Sequence, residues 1–366
     1  MTASGYLIIA ILALLFVVIF QIAKASEYVS VLKGEKKTFE QNNRINAFLM
    51  VVFLVVGLAA AWWCNDLLYK KTLLGLPSAS EHGEKIDTML WITLIITGIV
   101  FFITQILLFW FAYRYQASEK RTAYYYPHNN FLEVIWTAVP ALALTVLVGF
   151  GLYYWFKITG EAPKGAMEVE ITGHQFGWEY RYPGKDSVLG RVNYKLIDAA
   201  KSNPLGQDWT DVANQDDLHP SEMHLVVKRP VRLVIRAQDV IHDVGLPHFR
   251  LKMDAVPGIP TTMWFTPQFT TAEMREKTGN PNFVYEISCD QMCGKGHYSM
   301  KGTIIVETQA EYDKWIAGQK PQYVTANPNG AAAAGSASTQ PATENTNKAD
   351  ANQKQEGKPV AQALKK

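Results

Sequence analysis

Ser288-Cys289-Asp290-Gln291-Met292-Cys293-Gly294-Lys295-Gly296-His297-Tyr298-Ser299-Met300 holds two thiols, an imidazole and a thioether, spaced Cys-x3-Cys-x3-His-x2-Met. Thiolate and thioether are soft ligands, and with imidazole they favour copper over hard cations such as magnesium or calcium. The spacing departs from the two-residue separation of zinc sites and dithiol redox motifs. Gly294 and Gly296 let the backbone bend around an ion. A further imidazole, His242, closes the upstream run Asp239-Val240-Ile241-His242. The stretch reads as a copper loop that draws one more ligand from that second segment.

The chain around it is sharply segregated. Its mean hydropathy is near zero, yet the first 156 of its 366 residues contain four long apolar runs and the remainder is mixed and polar. A net charge of +2 gives no sign of nucleic-acid binding. Of three cysteines, Cys64 alone lies outside the loop, so no disulfide framework is expected. No Cys-x-x-Cys-His occurs, which excludes a covalently attached c-type haem on this chain.

The apolar runs are Gly5–Ala23, Ile45–Trp63, Leu90–Ala112 and Phe131–Phe156, each near the ~20 residues that a helix needs to cross a bilayer core. Met1–Tyr6 has no positive charge and no small-residue cleavage site follows, so the first run is read as a retained helix, not a signal peptide. The first connection carries Lys24, Lys33, Lys36, Lys37 and Arg44, and the third Arg114, Lys120 and Arg121; the second has Lys70, Lys71 and Lys85 among several acids. Positive-inside bias therefore puts connections one and three in the cytoplasm and everything after Phe156 outside. Trp62, Trp63, Trp110, Tyr153, Tyr154 and Trp155 fit an aromatic belt at the helix ends.

From Ala166 the pattern changes to period two, as in Val169 and Ile171 between Glu168, Glu170 and Thr172, and Val231, Leu233 and Ile235 between Arg232 and Arg236. Met223–Val227, Met263–Phe265, Phe283–Ile287 and Thr303–Val306 are further strand candidates, punctuated by Pro230, Pro257-Gly258, Pro260 and Pro281. This spacing predicts a β-sandwich or small barrel. Thr308-x-x-Glu311 is a capping box that opens a short helix through Tyr312 and Trp315. Beyond about Asn327 the composition of Ala, Ser, Thr, Asn, Gln and Lys predicts a disordered tail, 327–366.

Four stretches together resemble subunit II of the haem-copper terminal oxidases, the cytochrome c oxidase family. They are the copper loop, Asp239-Val240-Ile241-His242, Gly173-His174-Gln175-Phe176-Gly177-Trp178-Glu179-Tyr180, and Asn129-Asn130-Phe131-Leu132-Glu133-Val134-Ile135-Trp136-Thr137. The resemblance implies a four-helix transmembrane anchor plus an all-β cupredoxin-like Greek-key domain. Residues 1–64 would form an extra N-terminal helix pair, 88–157 the family's hairpin, and 165–318 a periplasmic copper domain. It implies a dinuclear centre of two copper ions, with Cys289 and Cys293 bridging and His242 and His297 terminal. Met300 would be a weak ligand and the Gln291 backbone carbonyl the sixth. Asp239 would orient His242, while His174 and His248 would be structural. Glu133 would lie at the mouth of the proton pathway into subunit I, in competition with a simple interfacial role. Lys252 and Asp254 would sit against the haem subunit.

The chain would then be the electron-accepting subunit of a proton-pumping oxidase in a bacterial inner membrane. It would pass electrons from a c-type cytochrome to haem in subunit I, with subunit III and membrane lipid as further neighbours and possibilities of a larger respiratory assembly. Two substitutions depart from the family pattern. Phe176 and Gly177 stand where a Trp-Tyr pair is usual, with Trp178 kept, so electron acceptance is expected at Phe176, Trp178 or Tyr298. Gln291 stands where Glu is usual, and a neutral amide is a poorer magnesium ligand, which puts the family's magnesium site in doubt. The alternatives are a membrane-anchored copper chaperone, disfavoured by the lack of βαβ alternation, and a nitrous-oxide-reductase-like copper module. A copper-free quinol oxidase subunit is disfavoured by the ligands present.

Overall fold

A computed structural model of the chain describes residues 3–69, 72–118 and 121–327. Most of the tail assigned to 327–366 lies outside them, as do Lys70, Lys71 and Lys120. Each apolar run becomes a helix: α1 (Ala3–Lys33), α2 (Glu35–Leu68), α3 (Glu81–Arg114) and α4 (Asn130–Thr159). All four are long and apolar enough to span a membrane. The helices exceed the runs that seed them. The first connection, expected as a loop, is helical except at Gly34, whose φ of 84° suits glycine. Its Lys, Glu and Gln residues are good helix formers, and α2, 34 residues long, would span about 50 Å at ~1.5 Å per residue. Asn43 Nδ2 donates to Ala117 O across 3.1 Å, which ties the α1–α2 junction to the end of α3.

The remaining chain forms two sheets. One has the order β2-β1-β4-β7 and the other β3-β9-β8-β5-β6. Their strands are β1 (Met167–His174), β2 (Gly177–Arg181), β3 (Met223–Val226), β4 (Val231–Ala237), β5 (His242–Leu246), β6 (Leu251–Ala255), β7 (Thr261–Phe265), β8 (Tyr285–Cys289) and β9 (Lys301–Glu307). Parallel pairings β1–β4 and β3–β9 stand beside antiparallel ones, as expected when strands cross between the layers of a Greek-key sandwich. Val169, Ile171, Leu233 and Ile235 are fully buried between the sheets, each contributing about 1.5–3 kcal/mol. The predicted capping box forms in both directions at Thr308 and Glu311 and opens α6 (Gln309–Ala317). Trp315 on α6 stacks on His224, with centroids 3.9 Å apart, and closes one end of the sandwich.

Alternation of this kind commonly leaves one strand face in solvent, but on β1 that face is covered. Glu170 is buried, because residues 183–222 fold over that face. Arg181, wholly buried, donates through Nη1 to Glu170 (2.9 Å), through Nε to Asp217 (2.8 Å) and through Nη2 to Gly190 O and Asn214 Oδ1. Arg236 Nε completes the network on Glu170 at 2.7 Å.

Sandwich and membrane helices meet directly. Arg250 donates to Asp87 Oδ1 (2.9 Å) and to the carbonyls of Leu73 and Leu76 (both 2.8 Å). Ser80, the N-cap of α3, donates to Phe249 O at 2.6 Å, and Trp264 Nε1 donates to Lys157 O at the end of α4 at 2.8 Å.

Replacing Arg181 with Met strands buried carboxylates and is expected to cost about 3–5 kcal/mol. Arg191→Met, at an exposed ion pair, should stay within about 1 kcal/mol. Thermal unfolding of the detergent-solubilised chain checks both; equal effects would refute the burial argument.

Candidate metal centre

The copper loop is the connection between β8 and β9, which pair antiparallel from Ser288 opposite Lys301. Cys289 N donates to Met300 O (3.1 Å) and so draws the loop's ends together. On its other side β8 pairs with β5, Val244 opposite Cys289, and this register delivers His242 to the loop. Sequence reading missed β2, β5 and β6. The pattern of β5, His-Asp-Val-Gly-Leu, does not alternate because all five residues are buried.

The donors converge. Cys289 Sγ lies 3.8 Å from Cys293 Sγ and 3.8 Å from His242 Nδ1. It also donates to Gln291 O at 3.1 Å. Cys293 Sγ lies 3.7 Å from His297 Nδ1 and 3.9 Å from Met300 Sδ. His242 and the Gln291 carbonyl thus lie beside Cys289, and His297 and Met300 beside Cys293. His242, Cys289, Cys293 and Met300 are buried. The donor atoms of His242, Cys289 and Cys293 all lie within 4.8 Å of one another.

This set fits a soft cation. Sulfurs 3.8 Å apart are far beyond the ~2.05 Å of a disulfide, but within joint reach of one ion at ordinary metal–thiolate distances of about 2.3 Å. Burial first, and then the adjacent Cys289 sulfur, push the Cys293 thiol up to about 11. A cation bound between the sulfurs is what would hold both as thiolates at neutral pH.

Asp239 holds the arrangement from behind. Its Oδ1 accepts from His242 Nε2 at 2.8 Å, and its Oδ2 accepts from Gln175 N at 2.7 Å. With Nε2–H so engaged, Nδ1 presents its lone pair toward Cys289. Burial alone would raise the Asp239 carboxyl, but hydrogen bonds from His242 and the amides of Gln175 and Val240 hold it below the usual carboxylate range. Gln175 Nε2 donates in turn to Cys293 O at 2.6 Å, a role the sequence signalled only by its place in the Gly173–Tyr180 run.

The other expected residues sit as follows. Phe176 is 39% exposed and packs on the loop, where a Cβ at Gly294 would lie 3.0 Å from its Cζ. Trp178 is buried, its ring 6.1 Å from that of His242 at 65°, so it lies behind the ligand and away from the surface. Tyr298 is 92% exposed. His174 lies 3.7 Å from Glu179, and the nearby carboxylate raises its pKa. His248 packs edge-on against Phe283 and Tyr285, and burial lowers its pKa. Neither belongs to the donor cluster. Glu133 lies in the first turn of α4, exposed, with Oε1 accepting from Asn129 N at 3.3 Å. About 40 Å of helix, at ~1.5 Å per residue, separates it from the end of α4 that meets the sandwich.

A cupredoxin-like domain carried on membrane helices, with thiol, imidazole and thioether gathered in its end loops, defines a membrane-anchored copper protein of electron transfer. Residues 167–309 match the cytochrome c oxidase subunit II periplasmic domain, and residues 73–153 match its transmembrane domain. The chain belongs to the cytochrome c oxidase subunit II family, the electron-accepting subunits of the haem-copper oxidase complex. It is 32% identical over 279 residues to the alternative cytochrome c oxidase subunit 2 of Bradyrhizobium diazoefficiens, covering 74% of this chain and 91% of that one. It is 28% identical to cytochrome c oxidase subunit 2 of Cereibacter sphaeroides, covering 66% and 78% respectively. The crystal structure of the periplasmic domain of subunit II of cytochrome oxidase of Bradyrhizobium japonicum shares 26% identity over 43% of this chain and 95% of that one, with a TM-score of 0.29. Matches to both the membrane and periplasmic parts favour this family over the chaperone and nitrous-oxide-reductase-like readings. The protein is thus a membrane protein with a periplasmic domain.

Asp239→Asn keeps the shape but weakens the hold on His242. Copper retention against a chelator should fall about 10- to 100-fold; unchanged retention would show that Asp239 does not position the ligand.

Proposed function

We infer that this subunit holds two copper ions and relays electrons singly from a c-type cytochrome to haem in subunit I, where oxygen is reduced to water. The observation that carries the reading is the gathering of six donors at the paired sulfurs, His242 and Gln291 O beside Cys289 and His297 and Met300 beside Cys293. A single four-coordinate ion would leave two of them unused. When bound, the copper pair supplies a one-electron redox centre with the charge shared between two metals.

The chain's own residues explain how transfer would be quick. Cys289 and Cys293 would hold the ions as thiolates, while Asp239 and the Gln175 amide fix the imidazole and the loop backbone, so little would have to move between redox states. Burial of the sulfurs and of His242 excludes water and limits solvent rearrangement. Met300 and the Gln291 carbonyl would be the weak ligands through which the potential is tuned. Phe176 and Tyr298 offer exposed surface beside the ligands, whereas Trp178 would serve through its contact with His242. The neutral Gln291 amide is a poorer magnesium ligand than a carboxylate, which weakens the case for the family's magnesium site here. Glu133 is proposed as the mouth of a proton pathway into subunit I. Its bond to Asn129 N also makes it a helix N-terminal partner, and the two roles are separable by experiment. The bacterial inner membrane, with subunits I and III as neighbours, is the setting this reading requires; α1 and α2 would face further subunits.

The intact protein loaded with copper should bind two ions and show a mixed-valence spin resonance signal with one electron shared equally between two copper nuclei. A signal from a single copper would overturn the dinuclear reading, and Cys289→Ser or Cys293→Ser should abolish the shared state. Glu133→Gln in the oxidase complex should slow turnover by about tenfold or more while copper spectra stay intact; unchanged turnover would leave Glu133 only its capping role.

A further inference from the structure

α3 and α4 leave a gap between them in the outer half of the membrane. A crevice of about 500 Å³ lies there, walled by side chains from 85–96 on α3 and 139–154 on α4. Its deeper walls are apolar, with Ile92, Ile96, Val139 and Leu142, while Lys85 and Tyr154 stand toward the outer helix ends. A second hollow of about 430 Å³ shares Val146 and Phe150 with the first and adds Gly149 and, nearest the outer end, Tyr153. A Cβ at Gly149 would meet nothing within 4 Å. At ~1.5 Å per residue the α3 wall is about 17 Å long, a little over half of a ~30 Å hydrocarbon core. Both hollows therefore belong to one leaflet. A helix about 10–12 Å across is too broad for either, so their shape suits slimmer chains.

The polar groups gather at the mouth. Lys85 Nζ and the Tyr153 and Tyr154 hydroxyls have no ion pair or hydrogen bond among the described residues. The charges around them are matched: Lys157 lies 4.0 Å from Glu81, and Arg250 donates to Asp87 at 2.9 Å. Glu84, one position from Lys85, does not line the crevice and balances it, so the mouth offers donors without a net charge. Apolar walls with donors at one end describe a site for an amphiphile. We propose that the two hollows hold the two acyl chains of one glycerophospholipid of the outer leaflet, with its phosphate at Lys85 and its ester carbonyls toward the tyrosine hydroxyls. Every such headgroup carries the phosphate, so the site recognises the diacyl phosphate unit and not the headgroup's net charge. The inference rests on the membrane-spanning reading of α3 and α4 and is independent of the metal centre. Seated there, the lipid would brace the hairpin beneath the bonds that Arg250 and Trp264 make to the helix ends.

The test uses the intact oxidase complex in vesicles of phosphatidylethanolamine and phosphatidylglycerol. These are doped with a phosphatidylcholine that carries a photoreactive diazirine at the end of one acyl chain. Light should attach it chiefly within 92–96 of α3 and 139–146 of α4. After transfer to mild detergent and washing, native mass spectrometry should find one phospholipid held by this subunit. Ala143→Phe together with Gly149→Phe fills both hollows and should abolish that retained lipid, with the copper spectrum unchanged. Lys85→Ala should release the lipid about tenfold faster, and Lys85→Arg should restore the hold. Labelling spread evenly over all four helices, or a retained lipid that the filled variant keeps, would show only the ordinary lipid surround and overturn the proposal. Retention of detergent or a free fatty acid in its place would overturn it too, as would side chains of a neighbouring subunit seen in the hollows by electron cryomicroscopy.

Discussion

One carboxylate organises the metal centre. Asp239 accepts from the imidazole of His242, from the backbone of Gln175 and from the backbone of Val240. Gln175 then reaches across to the carbonyl of Cys293. Three segments far apart in the chain are thereby tied at one point, and none of the ties uses a ligand atom. Charge-assisted bonds of this kind are the stronger ones, and in a partly buried setting they lose little to competing water. The donor geometry is therefore set by the protein scaffold before any ion is considered.

The same logic extends to the membrane. Arg250, Ser80 and Trp264 bond the sandwich to the ends of α3 and α4 through backbone carbonyls as well as the Asp87 carboxylate. A sandwich that swung freely on a linker would present its loop to a neighbouring subunit at variable distance. Here the hydrogen bonds hold the sandwich against the ends of the membrane helices.

How much could be read from the residues alone differs by element. The four spans and the copper loop were plain, because continuous hydrophobicity and ligand spacing are local signals. β1 and β4 were visible through alternation, as was the capping box at Thr308. A second box, Thr270 with Glu273, opens α5 (Thr271–Thr278) and went unread. β5 was hidden because burial on both faces erases alternation, although it carries His242. The burial of Glu170 depended on residues 183–222 folding over it, a tertiary event that no local pattern announces. The exposure of Phe176, in the turn before β2, and the burial of Trp178, on β2 beside His242, are likewise tertiary outcomes that no local pattern announces.

The parallel pairing of β3 with β9 joins Met223–Val226 to Ile304–Glu307. β9 is also the strand that closes the copper loop. Contacts of such long sequence separation form slowly, because the intervening chain must be ordered before they repay its entropy. The ligand loop itself is closed by the local pairing of β8 with β9, and its link to β3 waits on this long-range contact. A nascent chain crossing the membrane would expose its two thiols in an unfinished pocket until β9 has emerged. The donors lie between His242 and Met300, so the set is complete only once Met300 has been made.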